Sequence, residues 1–394
     1  AANILIEGVY HMRPSAFRAI CTLLDRPLSD PEQYSGGLIV TGSFVSQGLE
    51  KLAWAKFAVE PRSGDTVLRF LSPVTGWLPG DRIILPDTRQ IPVIEAWPRQ
   101  WESRTVASVS ADGLQVTITE PLDYDHLGGR GYWNPVLEQL VQQGHFSILG
   151  LDTPELRSVT ARALHFLPHA VNLSRNVVIR SENPAGVRGY VMFTETAEVS
   201  ARYTTFGGLG RSKVRILDGP AGLVTQTPAR EQRYPVYFRH LLDRPGTGPR
   251  FTFEGNAVTC PLDPMPFKWG VALEGTRGGL IKGNVAYNWA GFCFGTVDNL
   301  STGNTFENNF ALRCYGTKSR EDPEAGIGFW LQDAANRVRG NVAANCMSWG
   351  IDIHAGNSVL GFTGSQLLEF ADCEVYGGEQ GCSFWNLLGG GTPT

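Results

Sequence analysis

The stretch from Gly270 to Gly356 is one motif written twice, and that repeat restricts the fold more than any other feature of the chain. The first copy reads Gly270-Val-Ala-Leu-Glu-Gly, Gly283-Asn-Val-Ala-Tyr-Asn288 and Gly291-Phe-Cys-Phe; the second reads Gly326-Ile-Gly-Phe-Trp-Leu, Gly340-Asn-Val-Ala-Ala-Asn345 and Gly350-Ile-Asp-Ile. Each piece has the length and alternation of a short strand, opened by Gly or Asn, and no helix-length apolar stripe intervenes. A sandwich of the immunoglobulin type would show longer strands and hairpin dipeptides. The pattern predicts an all-β chain folded as a right-handed parallel β-helix. Each coil supplies two or three short strands, and inward Val, Ile, Leu, Phe and Cys stack on the coil below. Asn suits the corners because it tolerates left-handed backbone and can bond its neighbours along the stack.

Composition excludes several classes. With 394 residues, 42% hydrophobic and 18% charged, the chain is globular and too long for one compact ball, a limit that does not bind a solenoid. A net charge of -4 without a basic stripe argues against nucleic acid as a partner. No apolar run reaches the length of a transmembrane segment, and the opening Ala1-Ala-Asn-Ile-Leu-Ile lies inside a strand, as in a processed protein or a fragment. The seven Cys include no CxxC pair. Cys293, Cys314, Cys346 and Cys373 fall in or beside apolar strand patterns, so mostly free, buried thiols are expected, with Cys373 and Cys382 a candidate bridge.

The expected organisation is a β-rich module over residues 1–130, a connection over 131–169 and the β-helix over 170–394. Ile4-Leu-Ile-Glu and Gly37-Leu-Ile-Val also fit the start of a β-helix. Thr66-Val-Leu-Arg, Arg82-Ile-Ile-Leu and the pair Arg104-Thr-Val-Ala-Ser-Val and Leu114-Gln-Val-Thr-Ile-Thr, joined by Ala-Asp-Gly, read as strands and a hairpin, with Trp77 over a turn. A short helix is expected at 136–143, a long surface loop at 207–233, a charged insertion at 318–324 and a loose end at 389–394.

The run Gly64-Asp-Thr-Val-Leu, Gly76-Trp-Leu-Pro-Gly-Asp-Arg-Ile-Ile-Leu-Pro-Asp-Thr88 and Leu114 to His126 resembles the G8 domain, an extracellular β-module. Downstream, Val171-Asn-Leu-Ser-Arg-Asn-Val-Val-Ile-Arg180, Arg233-Tyr-Pro-Val-Tyr-Phe-Arg-His240, Gly291-Phe-Cys-Phe, Asn304-Thr-Phe-Glu-Asn-Asn and Gly328-Phe-Trp330 are similar to the β-helix following G8 in the family of the cell-migration-inducing hyaluronan-binding protein. The resemblance implies a secreted or cell-surface protein whose substrate is hyaluronan or another extracellular polysaccharide. It also implies histidines where this chain has Tyr237, Arg239 and Phe292, and an acidic pair with Gly where it has Val297, Asp298 and Asn299. Of that acidic cluster only Asp298 survives. Such departures imply a changed substrate, a moved site or no catalysis, with His240 and Asp243 as nearby substitutes.

Strand alternation selects candidates independently. Ile351 and Ile353 inward leave Asp352 and His354 together on the outer face; Phe292 and Phe294 inward would leave Cys293 and Gly295 outward. Trp330 and Glu274 are expected outward, Trp330 exposed for stacking on a sugar. Carboxylates on neighbouring coils suit acid–base cleavage of a glycosidic bond. The catalytic candidates are therefore Asp298, Asp352, His354, Arg239 and His240, and the substrate-binding candidates Trp330, Glu274 and Asp333. An outward carboxylate on a solenoid is equally a solvated face, and the Asp352–His354 pair equally a surface hydrogen bond. Asp123 and Asp125, beside His126, offer oxygen ligands for Ca²⁺ and equally turn caps. Two functions follow: an extracellular protein that binds an acidic polysaccharide, with a hydrolase or lyase activity, or a non-catalytic structural or adhesive surface protein that assembles with others. No GxSxG, HExxH, P-loop or dinucleotide fingerprint is present.

Overall fold

The computed structural model describes residues 4–6, 9–12, 19–26, 36–89, 99–128, 166–212, 233–241, 248–262, 269–316, 326–354 and 365–385. The expected helix at 136–143, most of the loop at 207–233, the insertion at 318–324 and the end at 389–394 lie outside the described residues. Sheet A runs in the order Ile4–Ile6, Gly37–Val40, Tyr190–Thr194, Val236–Arg239, Val271–Glu274, Phe292–Thr296, Ile327–Leu331, Trp349–His354 and Gln380–Trp385. Sheets B and C interleave with it. After Val271–Glu274 of sheet A the chain makes Leu280–Lys282 in sheet B and Val285–Ala290 in sheet C, then returns to sheet A at Phe292–Thr296. The strands of these three sheets pair parallel, for example Val271 with Phe294 and Ile281 with Phe306. A chain that visits A, B and C in turn, each time one strand further along, is a parallel β-helix.

Sheet A sends two columns inward, one through Val271, Phe294, Phe329 and Ile351 and one containing Leu273, Leu331 and Ile353. These side chains are fully buried. Phe294 and Phe329 stack with centroids 5.1 Å apart; each such ring contributes about 1.5–3 kcal/mol by burial. At the corner leading into sheet C, Asn256, Asn284, Asn309 and Asn341 form a ladder. The Asn284 side-chain amide donates to Asn309 Oδ1 at 2.9 Å, and that of Asn309 to Asn341 Oδ1 at 3.0 Å. Asn288 and Asn345 take left-handed backbone, φ 67° and 57°. All seven Cys are free thiols in this structure, Cys373 and Cys382 among them, so the Cys373–Cys382 bridge is not formed.

The strands Ile4–Ile6 and Gly37–Val40 belong to sheet A, and Val9–Met12 and Ser43–Gln47 to sheet B. The β-helix therefore already includes the opening residues, which the expected boundary at residue 170 left out. The second compact unit comprises residues 55–89 and 98–170. It interrupts the second coil between Ser43–Gln47 and Val177–Ser181 of sheet C. Insertion at a corner leaves the parallel register intact, and for that reason the boundary carries no compositional mark. Within this unit Val67–Arg69, Gln115–Ile118, Glu102–Val109 and Arg82–Leu85 pair antiparallel, the middle two through the expected hairpin. Asp112 Oδ1 accepts the Leu114 amide at 3.0 Å across its turn. Trp77 lies in the core of this unit, edge-on to Phe70 at 5.4 Å.

Candidate functional site

Because parallel strands stack in register, an outward residue of sheet A continues as a column along the helix. One column is Met192, Tyr237, Ala272 and Gly295, continued by Trp330, Asp352 and Ser383. Two residues on, towards the corner with sheet B, lies a second column containing Thr194, Arg239 and Glu274 and, further along, His354 beside Trp385.

The first column is covered. Trp330 points outward as expected but is only 7% exposed, and Asp352 has no exposed surface. Both belong to a face packed by aromatic rings: Trp269 stacks on Phe292 at 4.3 Å, Phe292 lies 5.6 Å from Trp330, and Tyr234 meets Tyr237 edge-on at 5.0 Å. Phe292 thus faces outward and Cys293 inward, the reverse of the expected alternation. The chain is still turning after Gly291, φ 78°. Two consecutive residues, Cys293 and Phe294, therefore reach the core. The positions where histidines are implied by resemblance, Tyr237 and Phe292, fall inside this aromatic face, and Val297 packs against it.

The corner column is open, and it brings three candidates together. His240 Nε2 lies 3.5 Å from Glu274 Oε1 with the imidazole half exposed. His240 is held in left-handed backbone, φ 50°, and its amide donates to the Glu274 carbonyl at 2.7 Å. A side chain at Gly275 would place its Cβ 2.6 Å from the imidazole, so the close approach requires glycine. Asp298, one coil on, accepts four hydrogen bonds: from the Gly275 amide at 2.6 Å, the Leu300 amide at 3.3 Å, the Ser301 amide at 3.1 Å and the Ser301 hydroxyl at 2.7 Å. Burial, and then the Asp298 charge, hold the Glu274 carboxyl above the usual glutamate range. Arg239, in register with Glu274, has a buried Nε without a hydrogen-bond partner among the described residues. A Glu carboxyl held above its usual range beside a hydrogen-bonded Asp, with a guanidinium alongside, is suited to donating a proton and attracting a carboxylate.

Three coils further along, His354 Nε2 sits 3.0 Å from Asp352 Oδ2. The His354 ring stacks on Trp385 with centroids 6.0 Å apart and a 28° interplanar angle, and Trp385 is 49% exposed. Sequence reasoning missed Trp385; its signal was its place in register beside His354. At about 4.8 Å per coil, Glu274 and His354 lie roughly 14 Å apart along the axis. They cannot act on one bond, but a single extended polymer can touch both. Asp333 is buried, with its Oδ1 accepting the Ala335 amide at 2.7 Å, the geometry of a turn cap.

In the inserted unit the Ca²⁺ candidates point to separate partners. Asp123 pairs with Arg104 at 2.8 Å; Asp125 accepts the Ser63 amide at 2.9 Å and pairs with Arg62 at 3.3 Å. The neighbouring His126 is turned inward, its Nε2 2.9 Å from Glu102 Oε1 and its Nδ1 2.7 Å from the Pro86 carbonyl. Among the described residues no group of three or more His, Cys, Asp or Glu side chains is arranged to hold a metal. No helix among them is long and apolar enough to cross a membrane.

Residues 224–369 match the family model described as CEMIP beta-helix, over somewhat more than a third of the chain. Fibrocystin-L of Mus musculus is 25% identical over 391 residues, covering 89% of this chain and 8% of the relative. Fibrocystin-L of Homo sapiens is 24% identical over 329 residues, covering 76% of this chain and 7% of the relative. The chain thus spans less than a tenth of these relatives. Together the matches support a CEMIP-like β-helix. Among solved structures, the tailspike gp61 of Pseudomonas phage phi297 is similar over 91% of this chain and 50% of its own, at 13% identity and a TM-score of 0.24. The Gp54 tailspike of Acinetobacter baumannii bacteriophage AP22, solved with a capsular saccharide, is similar over 94% of this chain and 67% of its own, at 9% identity and a TM-score of 0.21.

Proposed function

We propose that this chain is an extracellular carbohydrate-active protein that lays an acidic polysaccharide of the hyaluronan type along the corner between sheets A and B, and cleaves it at Glu274. The observation that carries this reading is the His240–Glu274–Asp298 cluster, in which the Glu274 carboxyl is held above its usual range beside a carboxylate fixed by four hydrogen bonds. Glu274 gives its proton to the glycosidic oxygen, the Asp298 charge favours the cationic transition state, and water completes the hydrolysis. Arg239 recognises a uronate carboxylate through its forked donors. His354 and Trp385 hold the polymer further along. The CEMIP-like match over residues 224–369, which contains every residue of this track except Trp385, supports the substrate class.

One observation favours binding without cleavage: Tyr237 and Phe292 fill with packed aromatic rings the positions where the resemblance implies histidines. Reducing-end release and affinity, measured together on hyaluronan, chondroitin and a neutral glucan, separate the two. Release from the uronate polymers, lost in Glu274→Gln with affinity kept, is the expected result. Affinity without release, in both proteins, supports the binding-only reading, and no affinity for any polymer overturns the proposal.

A further inference from the structure

The core of the β-helix holds four buried thiols that the surface site does not use, Cys260, Cys293, Cys314 and Cys346, and the last three are neighbours. Cys293 lies at the start of the sheet A strand of the sixth coil and Cys314 near the end of the sheet C strand of the same coil; Cys346 is the register partner of Cys314 one coil on. The Sγ atoms of Cys293 and Cys314 are 3.0 Å apart. They need to close by only about 1 Å to reach the length of a disulfide bond. Cys346 has its own niche: a Cβ at Gly328 would lie 3.1 Å from its Sγ.

We propose that Cys293 and Cys314 join in a disulfide that closes the sixth coil into a covalent ring, with Cys346 left as the reduced thiol beside it. The ring encloses the corner that carries Asp298, so the bond would tether the turn on which Glu274 depends. The oxidant is a small-molecule disulfide of the glutathione class. The thiolate of one Cys attacks it, forming a mixed disulfide and releasing one thiolate. The second Cys then attacks the protein sulfur and expels the other. Two S–H bonds are lost and one S–S bond is made, and the two protons pass to the departing thiolates. Burial pushes the Cys293 and Cys314 thiols up, so exchange belongs to the folding chain, before the core closes.

The test is to refold the full chain in glutathione buffers of graded redox ratio, alkylate, digest without reductant and map the peptides. The expected result is a linked pair containing Cys293 and Cys314, with five of the seven Cys alkylated. The link persists in Cys346→Ala and disappears in Cys314→Ala. All seven alkylated in the most oxidising buffer, or a dominant link through Cys346, would overturn the proposal. Where refolding fails, the same map on protein secreted from an oxidising host distinguishes the same outcomes.

Discussion

The Asp298 carboxylate accepts the amide of Gly275, the residue that follows Glu274, at 2.6 Å, and so fixes a negative charge beside a carboxyl of the open corner that is held protonated beyond its usual range. If Glu274 is the proton donor, Glu274→Gln lowers turnover by on the order of 10²–10⁴-fold. Asp298→Asn removes the repelling charge, so the Glu274 pKa falls and the alkaline limb of the pH–rate profile moves to lower pH. The stability sign is opposite to that of a salt-bridged carboxylate. A raised folded pKa contributes stability below the usual glutamate range that is lost as pH rises through the raised value. Glu274→Gln should therefore be more stable than wild type at neutral pH and no more stable at low pH, as urea titrations at the two pH values will read.

Trp330 and Trp385, both on the outer side of sheet A, should separate stability from binding. Trp330, packed against Phe292, should cost about 3–5 kcal/mol on Trp330→Ala. Trp385, half exposed over His354, should leave the unfolding midpoint nearly unchanged on Trp385→Ala while costing about 1 kcal/mol, roughly fivefold, in polysaccharide affinity. Calorimetry of both variants, melted alone and titrated with hyaluronan oligosaccharide, measures the two effects together.

The asparagine ladder should be costly to interrupt. Asn309 accepts from the Asn284 amide at 3.1 Å and side chain at 2.9 Å, and donates to the Ile281 carbonyl at 2.8 Å and to Asn341 at 3.0 Å. Asn309→Ala leaves buried groups of two neighbouring coils unpaired and should destabilise the β-helix by about 3 kcal/mol in urea unfolding.

In the inserted unit, burial alone would raise the Glu102 carboxyl, but hydrogen bonds from His126 and from the Asp123 and Tyr124 amides outweigh it and hold the carboxyl below the usual range. A lowered folded pKa gives stability above the usual glutamate range that is lost as pH falls through the lowered value. Glu102→Gln should cost about 3 kcal/mol at pH 7, by leaving buried partners without their anion. It should cost much less in strong acid, a difference that unfolding curves of the two proteins at both pH values will show.

The repeat was legible because its chemistry is local. Gly283-Asn-Val-Ala-Tyr-Asn288 and Gly340-Asn-Val-Ala-Ala-Asn345 are sheet C strands two coils apart, with Asn284 and Asn341 in the ladder and Asn288 and Asn345 at left-handed corners. The Asp352–His354 pair was legible for the same reason, being two residues apart on one strand. What pairs across coils was not. The approach of His240 to Glu274, the hold of Asp298 on Gly275 and the stack of Trp385 on His354 depend on register between segments of different length. Facing at Phe292-Cys-Phe294 was not legible either, because a run apolar at every position carries no alternation, and the bend after Gly291 decided which ring turned outward.

The most direct test is the location of the saccharide. A crystal of Glu274→Gln soaked with hyaluronan oligosaccharide should show the sugar chain on the corner of the β-helix, with a uronate carboxylate on Arg239, a glycosidic oxygen at residue 274 and a ring against Trp385. Sugar bound to another face, or a corner left bare at saturating oligosaccharide, would contradict the account.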